Sequence, residues 1–95
     1  MATRIGLLHL DLYVAQANSL KDKRRIIRSF KDRVARANNV SVAEVGGLDS
    51  HRQCVLAVVM VGTDHSHLEG TLEKIVNAAA NHRDMVLSHH EIEWL

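Results

Sequence analysis

The alternation of apolar and polar positions divides the chain into six elements. Between Arg4 and Val14, Leu8, Leu10, Leu12 and Val14 fall on one side while Leu7, His9, Asp11 and Tyr13 fall on the other. This is the period-two pattern of a half-buried strand. Ser19 then precedes a long basic run, with Asp22 three positions on. A hydroxyl that accepts from a free amide, followed by an acid near the positive end of the dipole, is a variant capping box and starts a helix near Leu20. At about 100° per residue, Leu20, Ile27, Phe30, Val34 and Ala37 share one stripe, and Lys21, Arg24, Arg25, Arg28 and Arg36 occupy the opposite half. Packing and positive charge therefore use different faces. Asn38-Asn39 supplies residues tolerant of left-handed geometry to end the helix, and Val40 to Val45 resumes a strand pattern.

Gly46-Gly47-Leu48-Asp49-Ser50 is a turn cluster suited to a longer connection between antiparallel strands. The next strand, about Gln53 to Val61, has no polar side chain from Cys54 onward, which predicts a central strand covered on both faces. Thr63 and Asp64 mark a boundary, and Ser66 with Glu69 forms another capping box ahead of Leu68, Leu72, Ile75, Val76 and Ala79 at helical spacing. This second helix is expected to run to about His82. From Met85 the chain alternates again, with Val86, Ile92 and Trp94 on one side and His89, Glu91 and Glu93 on the other.

The order β-α-β-β-α-β, with its two middle strands joined directly, specifies a split βαβ arrangement. The expected fold is thus α+β, a ferredoxin-like plait in which a four-stranded antiparallel sheet carries two helices on one face. The third strand would leave about four hydrophobic side chains on the helix-free face. Soluble monomers rarely expose sizeable contiguous apolar patches, so a homodimer or partner surface is expected there.

A length of 95 residues allows one domain, residues 1–95. The 46% hydrophobic and 24% charged composition is that of an ordinary globular chain. No apolar stretch approaches the roughly 20 residues of a membrane span, and the single Cys54 permits no internal disulfide. A cytoplasmic protein is the simpler expectation. The net charge of +1 conceals a segregation. Eight of the 12 basic residues lie between Lys21 and Arg36 against Asp22 and Asp32, a local net of +6, and the rest of the chain carries four basic and nine acidic residues, a net of −5.

With S-L-K-D-K-R-R at Ser19 to Arg25 and N-V-S-V-A-E-V at Asn39 to Val45, the chain resembles the YlxP-like family of small bacterial proteins over nearly its whole length. The resemblance implies the same ferredoxin-like fold. It implies no activity, cofactor or catalytic residue, because the family is a domain of unknown function. Members often lie near translation-initiation and ribosome-maturation genes, so the resemblance points by association to ribosomal RNA or a ribosome-bound partner.

The sharpest candidate site is the basic face of the first helix: Lys21, Arg24, Arg25, Arg28 and Arg36. Cations on a solvent-facing helix track phosphates and release counterions, giving affinity with little sequence choice. A purely solubilising face, paired with acids of the second helix such as Glu69 and Glu73, is the competing explanation. Like charges at i and i+4, as in Lys21/Arg25 and Arg24/Arg28, weigh against it. Stacking of bases on the sheet is disfavoured, since the aromatics are Tyr13, Phe30 and Trp94 only, with Phe30 in the core and Trp94 a lid on it.

Other constellations carry less. His9 and His89 could meet across the first and fourth strands, with Asp11 and Glu91 near, yet no recognised metal-ligand spacing occurs. Asp49-Ser50-His51 is contiguous, whereas a catalytic triad is defined by convergent geometry. Cys54 lies in an apolar strand, where burial makes a thiol inert. No phosphate-cradling glycine loop precedes a helix. The sequence therefore leads to a non-enzymatic binding module with no catalytic residue, metal or cofactor, associating with RNA or a ribosome-bound assembly through its first helix. The alternative is a homodimeric interaction module whose basic helix meets an acidic protein without nucleic acid.

Overall fold

The structure is a computed structural model that describes residues 2–95. Its elements are β1 (Arg4–Tyr13), α1 (Leu20–Ala37), β2 (Val40–Gly46), β3 (Gln53–Gly62), α2 (His65–Ala80) and β4 (Val86–Trp94). The strands form one sheet in the order β2-β3-β1-β4, every pair antiparallel. Both helices cover the same side, which is the expected plait.

Alternation in the central strands separates the two faces. Leu8, Leu10 and Leu12 of β1 and Cys54, Leu56, Val58 and Met60 of β3 are buried beneath the helices. Ile27, Phe30 and Val34 of α1 and Leu68, Leu72, Ile75 and Ala79 of α2 close the core from above. Burying a side chain of this size contributes about 1.5–3 kcal/mol relative to leaving it exposed. Trp94 is half-buried against that core beside Gly6, where a Cβ would meet Leu72 and the indole at 2.8 Å, so the lid needs a glycine beneath it.

The helix-free face departs from the sequence expectation for β3. That strand is central, but it is covered on one side only: Val59 is 37% and Val61 53% exposed. A run of apolar residues encodes strand propensity as well as burial, and here Val55, Ala57, Val59 and Val61 line an open sheet surface.

Helix ends show three further differences in detail. Ser19 caps α1 as expected, its Oγ accepting from Asp22 N at 3.1 Å, while Asp22 Oδ2 reaches back to accept from Asn18 N at 3.2 Å. The C-terminus of α1 uses no left-handed residue. Asn38 is extended, and its side-chain amide donates to Val34 O at 3.0 Å, satisfying a free carbonyl directly. In α2 the cap position falls on Asp64, so Ser66 and Glu69 lie within the helix and form no capping box. The early start sets the His65 ring 4.1 Å from that of Trp94, a contact the capping pattern does not encode. The helix then ends at Ala80, two residues short of His82.

A register shift in β4 corrects the face assigned to Val86. Asp11 pairs with His89 and Leu12 with Leu87, leaving Ser88 as the extra residue of a bulge. Its hydroxyl donates to Asp11 O at 3.1 Å. Val86, opposite Tyr13, consequently points to the open face, whereas Ile92 and Trp94 pair with Leu8 and Gly6 on the helix side.

Candidate nucleic-acid interface

The basic run of α1 is not one surface. Lys23 is only 1% exposed and sits on the packing face. Its Nζ donates to Gly47 O at 2.6 Å and Gln53 O at 3.0 Å, and lies 3.1 Å from Glu44 Oε2. Two carbonyls thus accept from the ammonium group, and the Glu44 carboxylate balances its charge as an ion pair in which Oε2 takes no hydrogen bond. The carbonyls stand at either end of the β2–β3 connection, where Gly47 adopts φ 70°, a left-handed geometry that favours glycine. Lys23 pins that turn to the first turns of α1.

The adjoining Cys54 thiol lies in the same closed corner, also buried. Burial first, then the Glu44 charge and a hydrogen bond to Glu44, push Cys54 up to about 12, against a weaker opposite pull from Lys23 and Lys31. The thiol is protonated and inert, as expected from its strand.

The five residues singled out by periodicity are placed differently. Lys21, Arg24, Arg25, Arg28 and Arg36 are all exposed, and none forms an ion pair among the described residues. Arg36 Nε donates to Asp32 O at 3.4 Å, within its own helix, where a cation also suits the negative dipole end. Glu69 pairs with His65 at 3.7 Å rather than with α1, so the second helix does not neutralise this face. After Lys23 is removed, seven solvent-reaching or half-buried cations remain on α1 against Asp22 and Asp32.

An open groove of about 870 Å³ runs between the helices. Ile26, Phe30, Val34 and Ile75 form its floor, and Arg25, Arg33, Lys74 and Arg83 its rim. Of these cations only Arg25 is among the five. Arg33 belongs to the basic run and follows Arg25 by two turns, bordering the Ile26, Phe30, Val34 stripe, and that adjacency is the signal that marks it in the sequence. Lys74 and Arg83 come from elsewhere in the chain and become neighbours only through the fold.

The remaining candidate constellations do not assemble. The register sets His9 opposite Glu91 and Asp11 opposite His89, so the two histidines are diagonal rather than facing. No group of three His, Cys, Asp or Glu side chains converges among the described residues. Ser50 Oγ accepts from Gln53 N at 2.9 Å and Arg52 N at 3.2 Å, so the Asp49-Ser50-His51 stretch serves the turn. Among the described residues, no helix is long and apolar enough to cross a membrane.

A four-stranded plait with both helices on one face and its cations gathered on one of them is a ferredoxin-like α+β domain whose distinguishing surface is positive. More particularly, residues 5–92 match the family described as Protein of unknown function (DUF503), and the chain belongs to that family. It is 23% identical over 90 residues to the uncharacterized protein YlxP of Bacillus subtilis (strain 168), an alignment that covers 95% of this chain and 98% of that protein. Neither description carries an enzymatic name. The two stretches that carry the YlxP-like resemblance meet in space: Lys23 belongs to the first and Glu44 to the second.

Proposed function

We propose that this protein is a non-enzymatic, cytoplasmic binding module that associates with RNA, ribosomal RNA included, through the exposed face of α1. The observation that carries the reading is the set of cations at Lys21, Arg24, Arg25, Arg28 and Arg36, which meet no carboxylate of the described chain. Unpaired guanidinium groups on a rigid helix are available to phosphate oxygens, and each neutralised phosphate releases counterions. Titration of a labelled ribosomal RNA fragment over a salt series tests it. Affinity is expected to fall steeply with salt, and Arg25→Ala with Arg28→Ala to weaken all sequences uniformly and flatten the slope by about two. An unchanged slope removes α1 as the contact.

The open sheet face favours a second reading. Val45, Val59 and Val61 are exposed and lie with exposed Ala43 and half-buried Val55 on neighbouring strands, a surface suited to a second copy of the chain. The cations would then serve an acidic protein. Light scattering that returns a mass near 10.6 kDa at micromolar concentration removes the homodimer, and capture of the same proteins after nuclease treatment favours the protein partner over RNA.

A further inference from the structure

Arg25 belongs at once to the outer face of α1 and to the rim of the inter-helix groove. The groove has the mixed character of a ligand site, an apolar floor beneath a few converging polar groups, and its volume lies within the range of such sites. Four cations rim it from both sides. The one acid in its lining, Asp84, lies 3.5 Å from Arg83 and is already engaged. Inside, the His82 ring stands edge-on to Phe30, with centroids 5.7 Å apart, and its Nδ1 accepts from Asp84 N at 3.0 Å. An imidazole that accepts at Nδ1 carries its proton on Nε2 when neutral, and among the described residues no hydrogen bond uses that donor.

We propose that this groove holds an unpaired nucleotide of the bound RNA, the base over the Ile26 and Ile75 floor beside His82, and the flanking phosphates on Arg25, Arg33, Lys74 and Arg83. The inference rests on the RNA reading of α1 and extends it. Cations on both banks suit a strand that enters between them, since phosphates lie on either side of an inserted base. The groove, at about 870 Å³, has room for a group the size of one nucleotide and not for a duplex. The groove therefore adds a preference that the outer face alone does not supply, because phosphate contacts on an open helix do not distinguish strandedness.

His82 supplies an internal probe. Burial first, then the Arg33 charge, lowers its affinity for a proton, with Arg83 acting in the same direction and Asp84 opposing. Arg25 and Lys74 add positive charge to the same groove. A phosphate bound among these cations offsets them and raises the His82 titration midpoint, which NMR reads from the imidazole protons.

The test compares an oligouridylate with a blunt-ended, loop-free RNA duplex of equal phosphate number, using the full chain and fluorescence anisotropy. The single strand is expected to bind more tightly and to raise the His82 midpoint, and Arg33→Ala with Lys74→Ala to cost about tenfold on the single strand and abolish the preference. Arg28→Ala is expected to weaken both probes alike. Equal affinity for the two probes, or unchanged binding in the Arg33→Ala, Lys74→Ala variant, overturns the groove assignment while leaving α1 as the RNA face. Binding of neither probe overturns the RNA reading and the groove with it.

Discussion

Lys23 shows how a residue's immediate neighbours can obscure its place in a helix. It stands between Asp22 and Arg24 in a run of charge, yet Ile27, Phe30 and Val34 follow it at four, seven and eleven positions, the spacing of one buried stripe. The periodicity was sufficient to place it; what the sequence could not supply was the Gly47 and Gln53 carbonyls and the Glu44 carboxylate that make a buried ammonium affordable. Removing one member of such a pair leaves the other desolvated, so Lys23→Met is expected to destabilise the fold by about 3–5 kcal/mol in urea titration, and Lys21→Met by less than about 0.5 kcal/mol. Cys54 gives a second outcome at this scale. Its thiol is held at about 12 against an ordinary 9.0, so the unfolded chain loses the proton first as pH rises. The contribution of Cys54 is intact below pH 9.0 and declines above it, by at most about 1.4 kcal/mol per pH unit. Urea titrations on either side of that value should show wild type weakening faster than Cys54→Ala.

Whole elements were legible where one local signal sufficed. Ser19 and Asp22 fix the start of α1 through contacts within five residues, and the hydrophobic stripe fixes its packed face. Ser19→Ala is accordingly expected to lower stability by about 1 kcal/mol in thermal melts, with Asp22 N losing its acceptor. The features that escaped the sequence depend on distant partners. The first turn of α2 extends to His65 beside Trp94, almost thirty positions away. The β4 bulge answers to a hydroxyl bond from Ser88 to Asp11, across the sheet from one end of the chain to the other. Even Asn38, a correct helix terminator, ends α1 by a side-chain bond to Val34 rather than by a left-handed turn, because residue type limits how a helix can stop without choosing among the ways. The cationic face was legible for the same local reason as α1 itself. The groove was not, since Lys74 and Arg83 join Arg25 and Arg33 only when α2 is laid beside α1.

At the scale of the whole molecule, the near-neutral total charge is the sum of one concentrated positive surface and acids spread over the rest of the chain. The positive one lies on the solvent side of α1, and Glu91 and Glu93 lie on the opposite, helix-free face of β4, opposite His9 and Leu7 of β1. The sheet and a helix layer stand between them, a separation of more than about 10 Å. Screening is strong beyond about 8 Å at physiological ionic strength. A polyanion approaching α1 therefore meets the local field of the helix rather than the net charge of +1. It follows that Glu91→Gln with Glu93→Gln, which raises the net charge by two, should change RNA affinity by less than about twofold at physiological salt. Arg25→Ala with Arg28→Ala, an equal and opposite change in charge, should weaken it many-fold and flatten the salt dependence. Equal and opposite responses to the two pairs would mean that binding follows total charge, and the assignment of the contact to α1 would then fail.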